Sequence, residues 1–155
     1  MAKLEEHRSH DMGLHTEQLT GRTQQRFFDV SELGDNFLYP EEPDVDFNKR
    51  KAFDASKMDT NGINMKIREL MAKGYGSIVV KNPLAKHSLG VGILQRLNLT
   101  FEGSLGYFGI GLIDGPNVRI TGRVGWSCAE NMMSGTVIIE KNAGSTFGAA
   151  IRGGD

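Results

Sequence analysis

A chain of 155 residues and 17.0 kDa, with 39% hydrophobic and 24% charged residues, is sized for one domain with a modest core. Eighteen Lys and Arg against 19 Asp and Glu give a net charge of −1, without the basic surplus of a nucleic-acid binder, and apolar runs such as Ser77 to Val80 fall far short of the ~20 residues of a membrane span. The single cysteine, Cys128, excludes an internal disulfide and any multi-cysteine metal or iron–sulfur centre built by this chain alone, which fits a reducing cytoplasm.

The first fifty residues read as an arm. Residues 1–50 carry 11 acids and 6 bases and lack sustained periodicity. Met1 to His10 places acids and histidines where a signal peptide would be apolar. Residues 1 to about 22 are expected to be disordered when alone. Residues from about 23 to 50 are too aromatic for that (Phe27, Phe28, Phe37, Tyr39, Phe47) and read as an extended segment lying on its own domain or on a partner, folding as it binds. The folded domain is expected over 51–155.

The segment from Phe53 to Gly74 predicts a helix with Asp59 or Thr60 as N-cap, Met58 as a hydrophobic staple, and Ile63, Ile67, Leu70 and Met71 on one face. Gly74 supplies the left-handed stop. The following SIVVKNP, Ser77 to Pro83, has the β-branched run and proline end of a buried strand.

From Leu97 onward the chain repeats with a period of 19 residues. Leu99, Val118 and Val137 keep that interval, as do Phe101, Ile120 and Ile139, and Gly106, Gly125 and Gly144; Val80 lies one further period before Leu99. Each unit reads as a short strand with alternate apolar residues, a glycine turn, and a less regular stretch closed by small residues at Asp114-Gly115, Ser134-Gly135 and Gly153-Gly154. Alternation puts Val118 and Ile120 on one face and Arg119 and Thr121 on the other. Such a unit buries its apolar face only by stacking on copies of itself, in parallel ladders about 4.8 Å apart. Sixteen of the 20 glycines fall from Gly74 onward, as expected if each coil turns through positive φ. The prediction is an all-β fold: a right-handed parallel β-helix, a single-stranded solenoid of 19-residue coils, preceded by one α-helix and the N-terminal arm. An antiparallel sandwich explains the strands but not one spacing kept at three columns.

The segment from Glu102 to Gly154 resembles the glycine-rich, GxGxG-type C-terminal domain of the glutamate synthase large subunit, and is most similar to its stand-alone form, the β-helical subunit of N-methylglutamate synthase (methylamine–glutamate N-methyltransferase) enzymes. AENMMSGTV, Ala129 to Val137, is the most specific string; Asn82-Pro83, His87 and Val91-Gly92 also fit, and the resemblance covers about Phe53 to Asp155. A sister family is the C subunit of formylmethanofuran dehydrogenase and of the related formyltransferase/hydrolase complex. The arm lies outside the family pattern, and family members continue for further coils beyond the position of Gly154. An open solenoid end is expected to be covered by a partner, a second copy or the arm, because unpaired strand edges template aggregation.

The resemblance implies a non-catalytic scaffold subunit. Its expected partners are a glutamine amidotransferase-like subunit and a synthase-like subunit carrying FMN and an iron–sulfur cluster, with no cofactor on this chain. The alternatives are the β-helical C-type subunit of a formylmethanofuran dehydrogenase or formyltransferase/hydrolase complex, or a reused β-helix assembly protein without enzyme partners, with a self-associating β-helix end. The residues themselves give no catalytic constellation. Cys128 has no histidine or lysine close in sequence to lower its pKa and reads as a buried small hydrophobe. His87 lacks an orienting carboxylate and reads as a hydrogen-bonded turn residue rather than a base. His7, His10 and His15 are the one metal-ligand grouping, on a terminus where solvated residues are the simpler reading. GYFGIG, Gly106 to Gly111, lacks the βαβ surroundings of a nucleotide loop. Glu130 and Asn131 are expected at a corner, bonding along the stack or touching a partner, and Met132 and Met133 in the coil interior or a subunit contact. With Gly106, Gly125, Gly144 and His87 they form the expected set of structural or subunit-contact residues.

Overall fold

The computed structural model describes residues 45–155. The arm up to residue 44, with His7, His10 and His15, lies outside the described residues. Five strands form one parallel sheet in sequence order: β1 (Asp46–Asp54), β2 (Tyr75–Lys81), β3 (Asn98–Glu102), β4 (Asp114–Ile120) and β5 (Ser134–Ile139). A single helix among the described residues, α1 (Thr60–Ala72), makes the crossover from β1 to β2. The later crossovers contain no helix. The chain instead winds as a β-solenoid of about three turns from β2 to β5, and after β5 runs round once more until Asp155 N–H donates to Gly135 O at 3.1 Å. The stretch from Ser134 to Arg152 is therefore one whole circuit, and residues 153–155 lie at the start of the next. β1 lies outside the solenoid repeat, exposed along its length except for half-buried Phe53, and it runs across the expected 50/51 boundary.

The columns expected from the 19-residue period are present. Leu99 pairs with Val118 and Val118 with Val137; Phe101 pairs with Ile120 and Ile120 with Ile139. These side chains point inward and, with Ile78, Val80, Leu105, Ile110, Ile113, Val124 and Met132, fill the solenoid with a dry apolar core. The first coil departs from the expectation. Val80 pairs with Phe101, and Leu99 pairs with Ile78, so this coil is 21 residues long. An offset of two leaves the same alternate residues facing inward, so burial tolerates it while sequence spacing conceals it. One extra residue is absorbed between Lys81 and His87, since Lys81 pairs with Glu102 while His87 stacks on Tyr107. The other is absorbed before Asn98, which pairs with Asn117.

The stretch read as irregular is the most regular part of each coil. Every second residue there is left-handed: Ser88, Gly90 and Gly92 in the first coil, Phe108, Ile110 and Leu112 in the second, Ser127, Ala129 and Asn131 in the third, Thr146, Gly148 and Ala150 in the last. Their N–H groups bond between coils in alternating directions. Phe108 N–H donates to Trp126 O, Ile110 N–H to Leu89 O and Leu112 N–H to Glu130 O, at 2.8 to 2.9 Å; Ser127, Ala129 and Asn131 repeat the pattern at 2.8 to 3.1 Å. A non-glycine residue in this region costs about 1–2 kcal/mol. The cost is met by a ladder that leaves these amides satisfied inside a closed coil, where orphaned groups would cost more.

Helix α1 closes the first coil of this ladder. Asp59 is its N-cap, accepting from Gly62 N–H at 2.8 Å, and Gly74 at φ +79 ends it. Its apolar face buries Ile63, Ile67 and Leu70, each contributing about 1.5–3 kcal/mol of transfer free energy. A second, polar stripe at four-residue spacing meets the coil backbone. Thr60 Oγ1 donates to His87 O at 3.2 Å, Asn64 Nδ2 to Ser88 O at 2.8 Å, and Arg68 to Val91 O at 3.4 Å, while Gly90 N–H donates to Asn64 Oδ1 at 2.9 Å. Asn64 thereby substitutes for the coil that would otherwise lie below. Glu69, between Lys66 and Lys73, is held at a pKa of about 2 by hydrogen bonds to both ammonium groups.

Asn64→Leu, matched in size but unable to bond, is expected to lower unfolding free energy by about 1–3 kcal/mol through two stranded backbone groups, read from urea denaturation. Because the folded pKa of Glu69 is depressed, its contribution is present above the ordinary carboxylate range and is lost as pH falls toward 2. Thermal unfolding of Glu69→Gln should accordingly lie below wild type at pH 6 and converge with it near pH 2.

Candidate functional site

The column glycines locate the site. Gly106, Gly125 and Gly144 are absent from the positive-φ residues, so the expected turn role is not why they are glycine. They are required by close approach. A Cβ on Gly125 would lie 2.5 Å from Tyr107 Cδ1 and 2.8 Å from the Gly106 carbonyl carbon; on Gly144 it would lie 2.7 Å from the Gly125 carbonyl carbon and 2.9 Å from Trp126 Cδ1. On Gly106 it would collide with His87 Nδ1 at 2.2 Å. Each coil thus lays a ring over the glycine of the next: His87 over Gly106, Tyr107 over Gly125, Trp126 over Gly144.

The rings form a column of their own. His87 and Tyr107 stack at a centroid distance of 4.8 Å with 20° between planes, and Tyr107 and Trp126 at 5.3 Å with 22°. That is the coil spacing, so the stack follows from the backbone. His87 is fixed further, because its Nδ1 accepts Tyr107 N–H at 2.8 Å and its carbonyl accepts from Thr60. The ring nitrogen that carries the lone pair is therefore engaged by the backbone. Phe108 stands beside this column in the left-handed ladder. Tyr107 is 43% exposed, Phe108 51% and Trp126 59%, a concentration of uncovered aromatic surface in the middle of the repeat.

The remaining expected residues divide. Glu130 and Asn131, expected at a corner, take part in the ladder through their backbones: Leu112 N–H donates to Glu130 O at 2.9 Å and Asn131 N–H to Ala149 O at 2.8 Å. Met132 is buried in the interior, whereas Met133 is 38% exposed. Cys128 is fully buried, and desolvation pushes its thiol up to about 12, so it is a packing group and not a thiolate. The glycines of GYFGIG belong to the coil. Gly106 is under His87, and Ile110, not Gly109 or Gly111, takes the left-handed conformation. Among the described residues no group of three or more His, Cys, Asp or Glu is gathered to hold a metal, and no helix is long and apolar enough to cross a membrane.

The sequence reading singled out the glycines and His87 but missed Tyr107, Phe108, Trp126 and Asn64. Tyr107 and Trp126 were detectable, since each directly follows a column glycine at the same 19-residue interval.

No family model matches the chain, and no solved structure matches it. The chain is similar to Protein GlxC of Rhizobium meliloti (strain 1021), with 44% identity over 63 residues. The matched stretch is 41% of this chain and 28% of that protein, so the chain spans little more than a quarter of its relative.

Gly125→Ala should destabilise the fold by about 1–3 kcal/mol or more through overpacking against backbone. Adding Tyr107→Ala should not restore it, because the Gly106 carbonyl carbon remains in the way. Denaturant unfolding of the single and double variants checks both statements.

Proposed function

We propose that this chain is a non-catalytic scaffold subunit of a glutamate synthase-type enzyme, of the N-methylglutamate synthase kind, acting in nitrogen metabolism in the cytoplasm. Its work is geometric. It holds a glutamine-hydrolysing subunit and a synthase subunit bearing FMN and an iron–sulfur cluster at a fixed separation, so that ammonia passes between them without reaching bulk water.

The observation that carries the proposal is the exposed ring column, Tyr107 and Trp126 with Phe108 beside it, mounted on a backbone bonded coil to coil. A rigid body with uncovered aromatic side chains is suited to docking. The polar groups that could have done chemistry are otherwise engaged: His87 Nδ1 on a backbone amide, Cys128 as a buried thiol. The type of enzyme is suggested by AENMMSGTV and its flanking coils, and the similarity to Protein GlxC over 63 residues agrees with a shared module.

Native affinity purification of the full chain from its own cell, with mass spectrometry of bound proteins, tests this. Recovery with a glutamine amidotransferase and a flavin/iron–sulfur synthase subunit is the expected result. Recovery with a metal-dependent amidohydrolase would move the chain to the formyltransferase/hydrolase group, and recovery alone would mean a reused coil without enzyme partners.

A further inference from the structure

The corner that carries the rings has an unusual charge pattern. It comprises residues 82–88, 103–108, 122–127 and 141–146, one segment from each coil, held together by bonds such as Leu105 N–H to Arg123 O at 2.9 Å and Val124 N–H to Asn142 O at 3.0 Å. Its charged side chains are Lys86, Arg123 and Lys141, and it contains no carboxylate. Arg123 and Lys141 are exposed. The described residues as a whole carry 14 Lys and Arg against 9 Asp and Glu, so the corner's three cations make up most of the surplus; exposed Glu102 and Glu140 mark its edge, Glu140 being paired with Arg119.

The rings present their edges. Tyr107 is covered on one face by His87 and on the other by Trp126, and Trp126 leans on Gly144. Ring edges carry the positive end of the aromatic quadrupole, and Tyr107 and Trp126 each add an O–H or N–H donor. A partner is therefore offered positive ring edges, donors and cationic side chains together. Nucleobases stack on free ring faces, and in this column both faces of Tyr107 and one face of Trp126 are already taken by neighbouring rings. A carboxylate-rich polypeptide with aromatic side chains of its own fits better, its carboxylates meeting Arg123 and Lys141 and its rings meeting Tyr107, Phe108 and Trp126 edge to face.

We infer that the ring corner is a docking site for an acidic, aromatic segment of a partner protein. The inference rests on the scaffold reading only in treating this corner as the docking surface.

The probe is a random copolymer of glutamate and tyrosine, titrated against the full chain by fluorescence anisotropy at low and moderate salt, beside oligo(dT) and polyglutamate of matched charge. The copolymer is expected to bind at least tenfold more tightly than either. Trp126→Ala and the double reversal Arg123→Glu/Lys141→Glu should each weaken it at least tenfold. The charge-reversed variant leaves the ring stack intact, so a folding defect in Trp126→Ala, seen by thermal unfolding, leaves the test standing. Equal or tighter oligo(dT) binding would overturn the inference in favour of nucleic acid; absence of copolymer binding, or binding unchanged by charge reversal, would overturn it outright. Such a failure alongside co-purifying amidotransferase and synthase subunits would remove this assignment while leaving the scaffold reading in place.

Discussion

Coil-to-coil backbone contact is the constraint on which this molecule depends. Where Gly125 lies on Gly106 and Gly144 on Gly125, the chains approach too closely for any Cβ, and rings from the coil before fill the remaining space. The same approach brings the left-handed ladders into hydrogen-bonding range. One repeated distance, about 5 Å along the axis, thus sets the strand pairing, the ring stack and the ladder together.

The ladder changes what kind of body the solenoid is. Had the segments opposite the strands been ordinary loops, the coil would be rigid on one side and soft on the others. Instead, Ser88, Phe108 and Ser127 donate from coil to coil at 2.9 to 3.1 Å. Helix α1 extends this order to the N-terminal end of the ladder, with Thr60, Asn64 and Arg68 taking the place of a coil. A solenoid braced on several sides suits the spacer role proposed above, and the bracing occupies polar side chains such as Asn64 and Thr60.

Much of this was legible in the sequence. The strand columns showed because alternate burial forces apolar residues to recur at each turn, and α1 showed because Asp59, Gly74 and the Ile63, Ile67, Leu70 face are local signals. The first coil misled because Ile78 and Val80 are equivalent under a two-residue shift, so period alone could not choose between them. The ladder was hidden for a different reason. Positive φ is ordinarily read from glycine, yet Phe108, Ile110 and Leu112 adopt it under tertiary constraint, while the glycines beside them do not. Gly90, Gly92 and Gly148, standing in the same columns, were the trace that remained. The polar stripe of α1 was visible as residues but not as purpose, since its partners are backbone atoms with no identity in sequence.

Native-state amide hydrogen exchange, resolved by residue, tests the ladder most directly. Phe108, Ile110, Leu112, Ser127, Ala129 and Asn131 should exchange as slowly as Leu99, Phe101, Val118 and Ile120, with one opening free energy for both sides of the coil. Exchange of the ladder amides at near-solvent rates while the strand amides stay protected would contradict the account, leaving a sheet with loops instead of a braced solenoid.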